Sequence, residues 1–312
     1  ANLEGAGGPL SRAWIEEHLT LGRRILDRER ELGMTPIVQG FSGFVPRLLQ
    51  EKHPDAAIRR QGRWFGFAGT AVIDPRDPLF AAFGLAFLEQ SARLLGSAGF
   101  YLADPFHEND PPIYSDTYMR ATGVAIDRLL KQAAPHATWA MQSWSLREPI
   151  ITAAPHDDVL VLDLGGWDGY YYGYRYVQGE LHNFGGRTNL HGDLAAMALN
   201  PFALEARADS DCVGMGLFME GLGQNAVFYD LVLDLIWRDG GVALGPWLED
   251  RARRRYGHPS ASAARAWALL AEGPYGPNTS GVESSSVVAM RPALRFTRTG
   301  PDVGFERRYD TR

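Results

Sequence analysis

Apolar positions along this chain recur at two periods, and the alternation between them predicts a regular succession of helices and strands. Ile15, Leu19, Gly22 and Leu26 keep helical spacing between Ser11, which suits an N-cap, and Gly33, which suits a C-terminal stop, so a first helix is expected over 11–32. Met34 to Phe41 is a short apolar run with a glycine-containing exit and reads as a strand. After a loop that holds Trp64, Pro75 and Pro78 introduce a second helix over 79–95. FYLADPFHENDPP, Phe100 to Pro112, begins as a strand, runs into the carboxylate of Glu108 and is stopped by two prolines. From Ser115 the spacing of Tyr118, Ala121, Ala125 and Leu129 predicts another helix.

The alternation then repeats. Thr138 to Trp144 is expected as a strand, Leu146 to Ala153 as a short helix or turn, and VLVLDL (Val159 to Leu164) as a strand buried on both faces. GGWDGYYYGYRYV leads into a strand ending at LHNFGGR, Leu190 to Leu199 reads as helical, and Cys212 to Gly221 is the last strand. Asn225 to Trp237 is apolar on nearly every side, which predicts a buried helix, and two more helices are expected near Pro246 to Tyr256 and Ser260 to Ala271. The last forty residues lack periodicity and are expected to be irregular.

Six strands separated by helices point to parallel βα units with right-handed crossovers. Six is two short of a closed eight-stranded barrel. Either two strands escape the pattern, or the part of a barrel that would precede Ala1 is lacking.

Composition removes several classes of function. The chain has 312 residues, 45% of them hydrophobic, and a net charge of -6, which disfavours a nucleic-acid surface. The basic run Arg251 to Arg255 reads as a solvated face or a helix end. The single cysteine, Cys212, rules out an internal disulfide framework and any cysteine-built metal site, and its apolar neighbours predict a buried, inert thiol. No apolar run reaches the ~18 residues of a membrane span, and Ala1 to Leu10 does not read as a signal peptide.

The candidate chemistry sits at strand ends. Glu108 and Glu220 each close a predicted strand, and two carboxylates at the carboxyl ends of parallel strands are what glycoside hydrolysis requires. Phe100, Tyr101 and Phe106 around Glu108 would favour its protonated form and general-acid duty, while Glu220, with Gly216 and Gly221 close by, has room for a substrate and suits a nucleophile. Trp64, Trp144, Trp167 and Tyr170 to Tyr172 fall at strand ends or in loops, where a sugar face could stack; a single Trp is more often core filling, but several at one predicted face favour stacking. His107, His182 and His191 beside Asp104 and Glu108 do not make a metal site: there is no HExxH, and Pro111 occupies the place of the second histidine. His182 with Asn183 reads equally as a contact to substrate hydroxyls or to neighbouring backbone. The absence of GxSxG, GxxxxGK[ST] and GxGxxG removes that serine-hydrolase class and nucleotide binding, so no cofactor is expected.

Seven motifs occur in order: GMTPIVQGFSGFVP (Gly33 to Pro46), YLADPFHE (Tyr101 to Glu108), WAMQSW (Trp139 to Trp144), VLVLDL, LHNFGGR (Leu181 to Arg187), VGMGLFMEGLGQN (Val213 to Asn225) and RRYG (Arg254 to Gly257). Together they resemble the α-N-acetylglucosaminidases of glycoside hydrolase family 89, over roughly residues 1–275. The resemblance implies an α/β chain: a (β/α)8-type TIM barrel over 1–238, incomplete at its N-terminal side, then the start of an all-α domain over 239–312. It implies retaining hydrolysis of terminal α-linked N-acetylglucosamine, with Glu108 as acid/base and Glu220 as nucleophile, Trp64 and Trp144 lining the sugar pocket, and His107 beside the acid. It also implies a glycan substrate, an extracytoplasmic location, and further N- and C-terminal segments of the same enzyme as partners. Gln178 stands where the family carries a pocket Trp, and this departure leaves a second reading, an inactive fragment or non-catalytic sugar-binding barrel remnant.

Overall fold

The computed structural model describes residues 10–63, 67–165, 170–182, 190–207, 210–219 and 225–277. Trp64, Trp167, Asn183, Glu220 and the last thirty-five residues lie outside them. The chain divides into two compact units, Ala1–Leu162 with Tyr171–Arg175, and Asp163–Tyr170 with Tyr176–Arg312.

The first unit opens with α1 (Arg12–Glu31), capped by the Ser11 hydroxyl, which accepts from the Trp14 amide, and closed where Gly33 takes a left-handed φ. Then follow β1 (Ile37–Gln39), β2 (Phe44–Val45), α2 (Leu49–Lys52), β3 (Ile58–Arg60), β4 (Ala71–Ile73) and α3 (Pro78–Leu95). β5 (Phe100–Leu102), α4 (Asp116–Ala133), β6 (Thr138–Gln142), α5 (Glu148–Ile151) and β7 (Val159–Asp163, its last residue in the second unit) complete it. β1, β5, β6 and β7 pair in parallel in that order, with Ile37 beside Phe100, Phe100 beside Thr138 and Trp139 beside Val159. Each crossover carries a helix, and Val38, Tyr101, Trp139 and Val161 of the strands are buried, as are Phe80 of α3 and Ile126 and Leu129 of α4.

β2, β4 and β3 form a separate antiparallel sheet, which the hydrophobic pattern did not predict because strands of two or three residues are too short to show a period. Asp74, at its exit, is buried and paired with both Arg59 (3.0 Å) and Arg76 (2.7 Å). Burial alone would raise its pKa, but the two guanidinium groups outweigh that and hold it at about 2.

The second unit has β8 (Tyr176–His182), α6 (Leu194–Met197), α7 (Asn200–Glu205), β9 (Cys212–Met219), α8 (Ala226–Leu235), α9 (Leu244–Tyr256) and α10 (Ala261–Glu272). β8 and β9 are parallel, with Gln178 beside Met215 and His182 beside Met219. All six long-range parallel strands expected from the pattern are therefore present, four in one unit and two in the other. None of the described helices is long and apolar enough to cross a membrane.

Three expectations change. α8 is not buried on every side: Val227, Phe228, Leu231 and Leu235 are, whereas Leu233, Ile236 and Trp237 face solvent, because one stripe of the helix suffices to close the core formed with Leu194, Met197 and Trp247. Within the basic run, Arg253 and Arg254 are solvated and paired with Asp250, but Arg251 is buried, bonded to Asp230 and stacked over Trp267. Cys212 is only half-buried, since it opens β9 at the sheet's margin, and its thiol donates to the Gly214 carbonyl.

Candidate active site

Glu108 stands on a loop that the sequence forces out of β5. β5 ends at Leu102, Pro105 opens the turn that follows, Phe106 takes a left-handed φ of 58°, and its ring is buried and lies 6.0 Å from that of Tyr118. Burying Phe106 turns the next residues outward, and Glu108 itself adopts a left-handed φ of 51° with its side chain exposed. Phe106, expected to shield the carboxylate, is thus buried against Tyr118 instead. His107, half-buried beside it, has its pKa lowered by burial, with the Glu108 charge pulling the other way.

The loop is held at its far end by Asn109. Its side-chain amide donates to the Gly62 carbonyl (3.2 Å), its own carbonyl accepts from Arg147 (2.9 Å), and Gln61 donates to the next carbonyl, that of Asp110 (3.2 Å). These bonds draw together three stretches that are remote in sequence: the segment leading to Trp64, the Glu108 loop, and the segment following Trp144. At the near end, Asp104 accepts from the Gln142 amide (2.8 Å), joining the carboxyl ends of β5 and β6. Burial pushes the Asp104 carboxyl up to about 7, against that hydrogen bond.

Two tryptophans, one in β6 and one in the turn that follows it, divide the work. Trp139 is fully buried and donates to the Ala103 carbonyl (2.7 Å), fixing the β5 exit, while Trp144 is 57% exposed and free to meet a ring-shaped ligand. Trp144 lies in the chain between the two anchoring points, Gln142 and Arg147.

In the second unit the histidines are built into a core. His182 is 1% exposed, stacks on Phe228 (4.5 Å) and His191 (4.1 Å), and contacts the Tyr229 hydroxyl through Nδ1 (2.9 Å) and the His191 carbonyl through Nε2 (3.2 Å). A carbonyl can only accept, so Nε2 carries the proton and Nδ1 accepts from Tyr229. Of the two roles open to His182, the described contacts are to neighbouring protein groups. Asn225, also buried, accepts from the Tyr275 hydroxyl (3.0 Å). In sequence, His182 directly precedes the segment that carries Asn183, and Asn225 directly follows the one that carries Glu220.

Gln178 lies elsewhere on β8. Its partner Met215 packs with the α8 core, and Gln178 shares a cavity with Phe202, Leu235 and Ile236, on the face that α7 and α8 cover. The alternate residues Gly179 and Phe218 meet on the opposite face, where any side chain at 179 would collide with the Phe218 ring.

The first unit therefore brings His107, Glu108 and Trp144 onto strand ends tied to one another, and the second packs His182 against His191, Phe228 and Tyr229. Sequence reasoning passed over Gln61, Asn109, Arg147 and Asn225. Asn109 was the legible one, because an Asn beside a strand-end Glu and before a Pro-rich stop is a turn-forming residue whose amide can reach backbone.

Comparison with known proteins gives this constellation a family. Residues 1–239 match the family model described as the alpha-N-acetylglucosaminidase (NAGLU) TIM-barrel domain. The human alpha-N-acetylglucosaminidase is 32% identical over 324 aligned positions, which take in 95% of this chain and 43% of the human protein. A family 89 glycoside hydrolase from Clostridium perfringens, solved with 2-acetamido-1,2-dideoxynojirmycin, superposes with a TM-score of 0.82 at 26% identity, over 93% of this chain and 34% of the bacterial one. The same bacterial enzyme, carrying two Glu-to-Gln substitutions, has been solved with its substrate GlcNAc-alpha-1,4-galactose, at an equal TM-score. The chain thus spans well under half the length of either relative.

Proposed function

The chain belongs to the alpha-N-acetylglucosaminidase family, and from that premise we propose that it removes terminal α-linked N-acetylglucosamine from glycans by a retaining mechanism. The observation that carries the reading is the exposed carboxylate of Glu108 at the carboxyl end of β5, on a loop held to Gly62 and Arg147 beside an exposed Trp144. Functional groups of parallel α/β barrels gather at that end of the strands.

In this reading Glu108 protonates the glycosidic oxygen while Glu220 attacks the anomeric carbon. The bond to the aglycone breaks, and the sugar is left as an ester on Glu220. Glu108, now a carboxylate, takes a proton from water, which attacks the same carbon and releases N-acetylglucosamine with its configuration kept. Retention calls for carboxyl groups about 5–5.5 Å apart. The substrate complex of the bacterial relative supports the pair, because its two substituted glutamates are separated along the chain by nearly as many residues as Glu108 and Glu220. Trp64 and Trp144 offer stacking faces, His107 a hydrogen bond beside the acid, and Asn183 a bond to a hydroxyl, with His182 orienting the segment that bears it. Residues 1–238 carry this chemistry, and 239–312 begin a helical domain.

Hydrolysis of a chromogenic α-N-acetylglucosaminide by the intact polypeptide tests the assignment. Glu108→Gln and Glu220→Gln should each lose activity by about a hundredfold or more. Full activity in either variant overturns the pair, and a first-formed β-anomer, seen by proton NMR, overturns retention alone.

A further inference from the structure

Asp104 lies two residues beyond the end of β5, and one of its carboxyl oxygens, Oδ1, accepts from the Gln142 amide at 2.8 Å. The other, Oδ2, makes no hydrogen bond among the described residues, and no charged side chain acts on it there. Yet Asp104 is only half-buried, and Oδ2 is not sealed from water. Gln142 repeats the pattern. Its backbone N–H holds Asp104, while its own half-buried carboxamide has no partner among the described residues and stays open. A polar group that the fold anchors at one atom and leaves open at the next is placed for an outside partner.

Strand register puts the two side chains on one face. Leu102 pairs with Ala140, so two residues further along both chains Asp104 stands beside Gln142. Side chains alternate between faces along a strand, which groups this pair with Gln39, Leu102 and Leu160. Those three keep exposed surface, whereas Val38, Tyr101 and Trp139 on the opposite face are buried. The pair therefore stands on the more open face, at the carboxyl ends of its strands. Asp104 leads into the Glu108 loop, and Gln142 leads into the turn of Trp144.

Resting on the glycosidase reading above, we propose that Asp104 and Gln142 are specificity-determining residues that hold the 3- and 4-hydroxyls of the terminal N-acetylglucosamine. Glu108 has to meet the glycosidic oxygen on C1, and C4 is the ring carbon opposite C1, with C3 next to it. Glu108 is exposed, and Asp104, four residues nearer the strand, is set deeper. A sugar that brings its anomeric end to Glu108 carries its far edge toward Asp104. Each hydroxyl both donates and accepts, and a carboxyl beside a carboxamide answers with both kinds of group. Burial, which pushes the Asp104 carboxyl up to about 7, keeps the pair uncharged in mild acid, as suits a neutral sugar.

Selectivity separates this role from a structural one. The probes are a chromogenic α-N-acetylglucosaminide and its 3-deoxy, 4-deoxy and 6-deoxy analogues, given to the intact polypeptide at pH 5. In the wild type, loss of the 3- or the 4-hydroxyl should lower kcat/KM by about 10- to 100-fold, and loss of the 6-hydroxyl by about threefold at most. Asp104→Ala should shrink one of the two large penalties to about threefold. Asp104→Asn keeps an acceptor for the Gln142 amide and a donor for the sugar, and should restore the discrimination. Gln142→Ala removes no side-chain hydrogen bond among the described residues and should shrink the penalty at the neighbouring hydroxyl; it carries the test by itself if Asp104→Ala does not fold. A structural role would slow all four substrates alike. Penalties that stay unchanged in the alanine variants, or a wild type indifferent to both hydroxyls, overturn the inference and leave the glycosidase reading standing. A wild type that turns over none of the probes overturns both.

Discussion

The Glu108 loop and the His182 network solve opposite problems with the same materials. In the loop, the side chains that hold the structure, Asn109, Gln61 and Arg147, bond to backbone carbonyls, and the candidate chemical groups Glu108 and Trp144 are left facing solvent. In the network, His182, Tyr229, Asn225 and Tyr275 bond mainly through their side chains; His182, Asn225 and Tyr275 are buried where they stand and Tyr229 is half-buried. The difference teaches that a polar residue's type says little about its work. What it bonds to, and whether water reaches it, decides between display and support.

Substitutions that split activity from stability test this contrast most sharply. Glu108→Gln should lower kcat by about 10²–10⁴ while leaving the urea midpoint within about 0.5 kcal/mol of wild type, because the side chain is exposed. A matching fall in stability would mean that the loop is supported by the very group it displays. His182→Ala should do the reverse first, costing about 3–5 kcal/mol in a denaturant titration by emptying a packed, hydrogen-bonded position. A loss under 1 kcal/mol would move His182 from support to display.

Asp104 gives the contrast a pH signature. With its folded pKa near 7 and its unfolded value near 3.8, the folded chain keeps a proton between those limits that the unfolded chain has released. Stability should therefore fall as pH rises from about 4 to about 7 and level off above, by on the order of 3–4 kcal/mol, and Asp104→Asn should flatten the slope. A flat profile through this window in the wild type, matching that of Asp104→Asn, would show that the carboxylate is solvated. The smallest effect belongs to Asn109→Ala. Loss of its bond to Gly62 should cost about 1 kcal/mol of stability and raise KM more than it lowers kcat, since the loop is loosened and its chemical group kept.

Much of the scaffold could be read from periodicity. Runs such as VLVLDL and the capped stretch from Ser11 to Gly33 announce themselves, because burial on both faces and capping each leave a local mark. The small antiparallel sheet left none, being three strands of two or three residues. At the candidate site, Glu108 and Trp144 were visible as strand-end residues, but their supports were not. Asn109 meets Gly62, and Arg147 meets Asn109, across gaps in sequence that only the fold closes. The direction of Gln178 was equally hidden, since a strand's pattern says which residues share a face but not which face the helices cover.

The left-handed backbone at Glu108 carries a consequence for anyone who evolves this protein in the laboratory. A glutamate pays about 1 kcal/mol to hold that conformation, a toll that glycine or asparagine largely escapes. A heat-only selection would therefore enrich Glu108→Gly and Glu108→Asn, discarding the acid while improving the fold. Only a selection that also demands turnover would keep the glutamate in place.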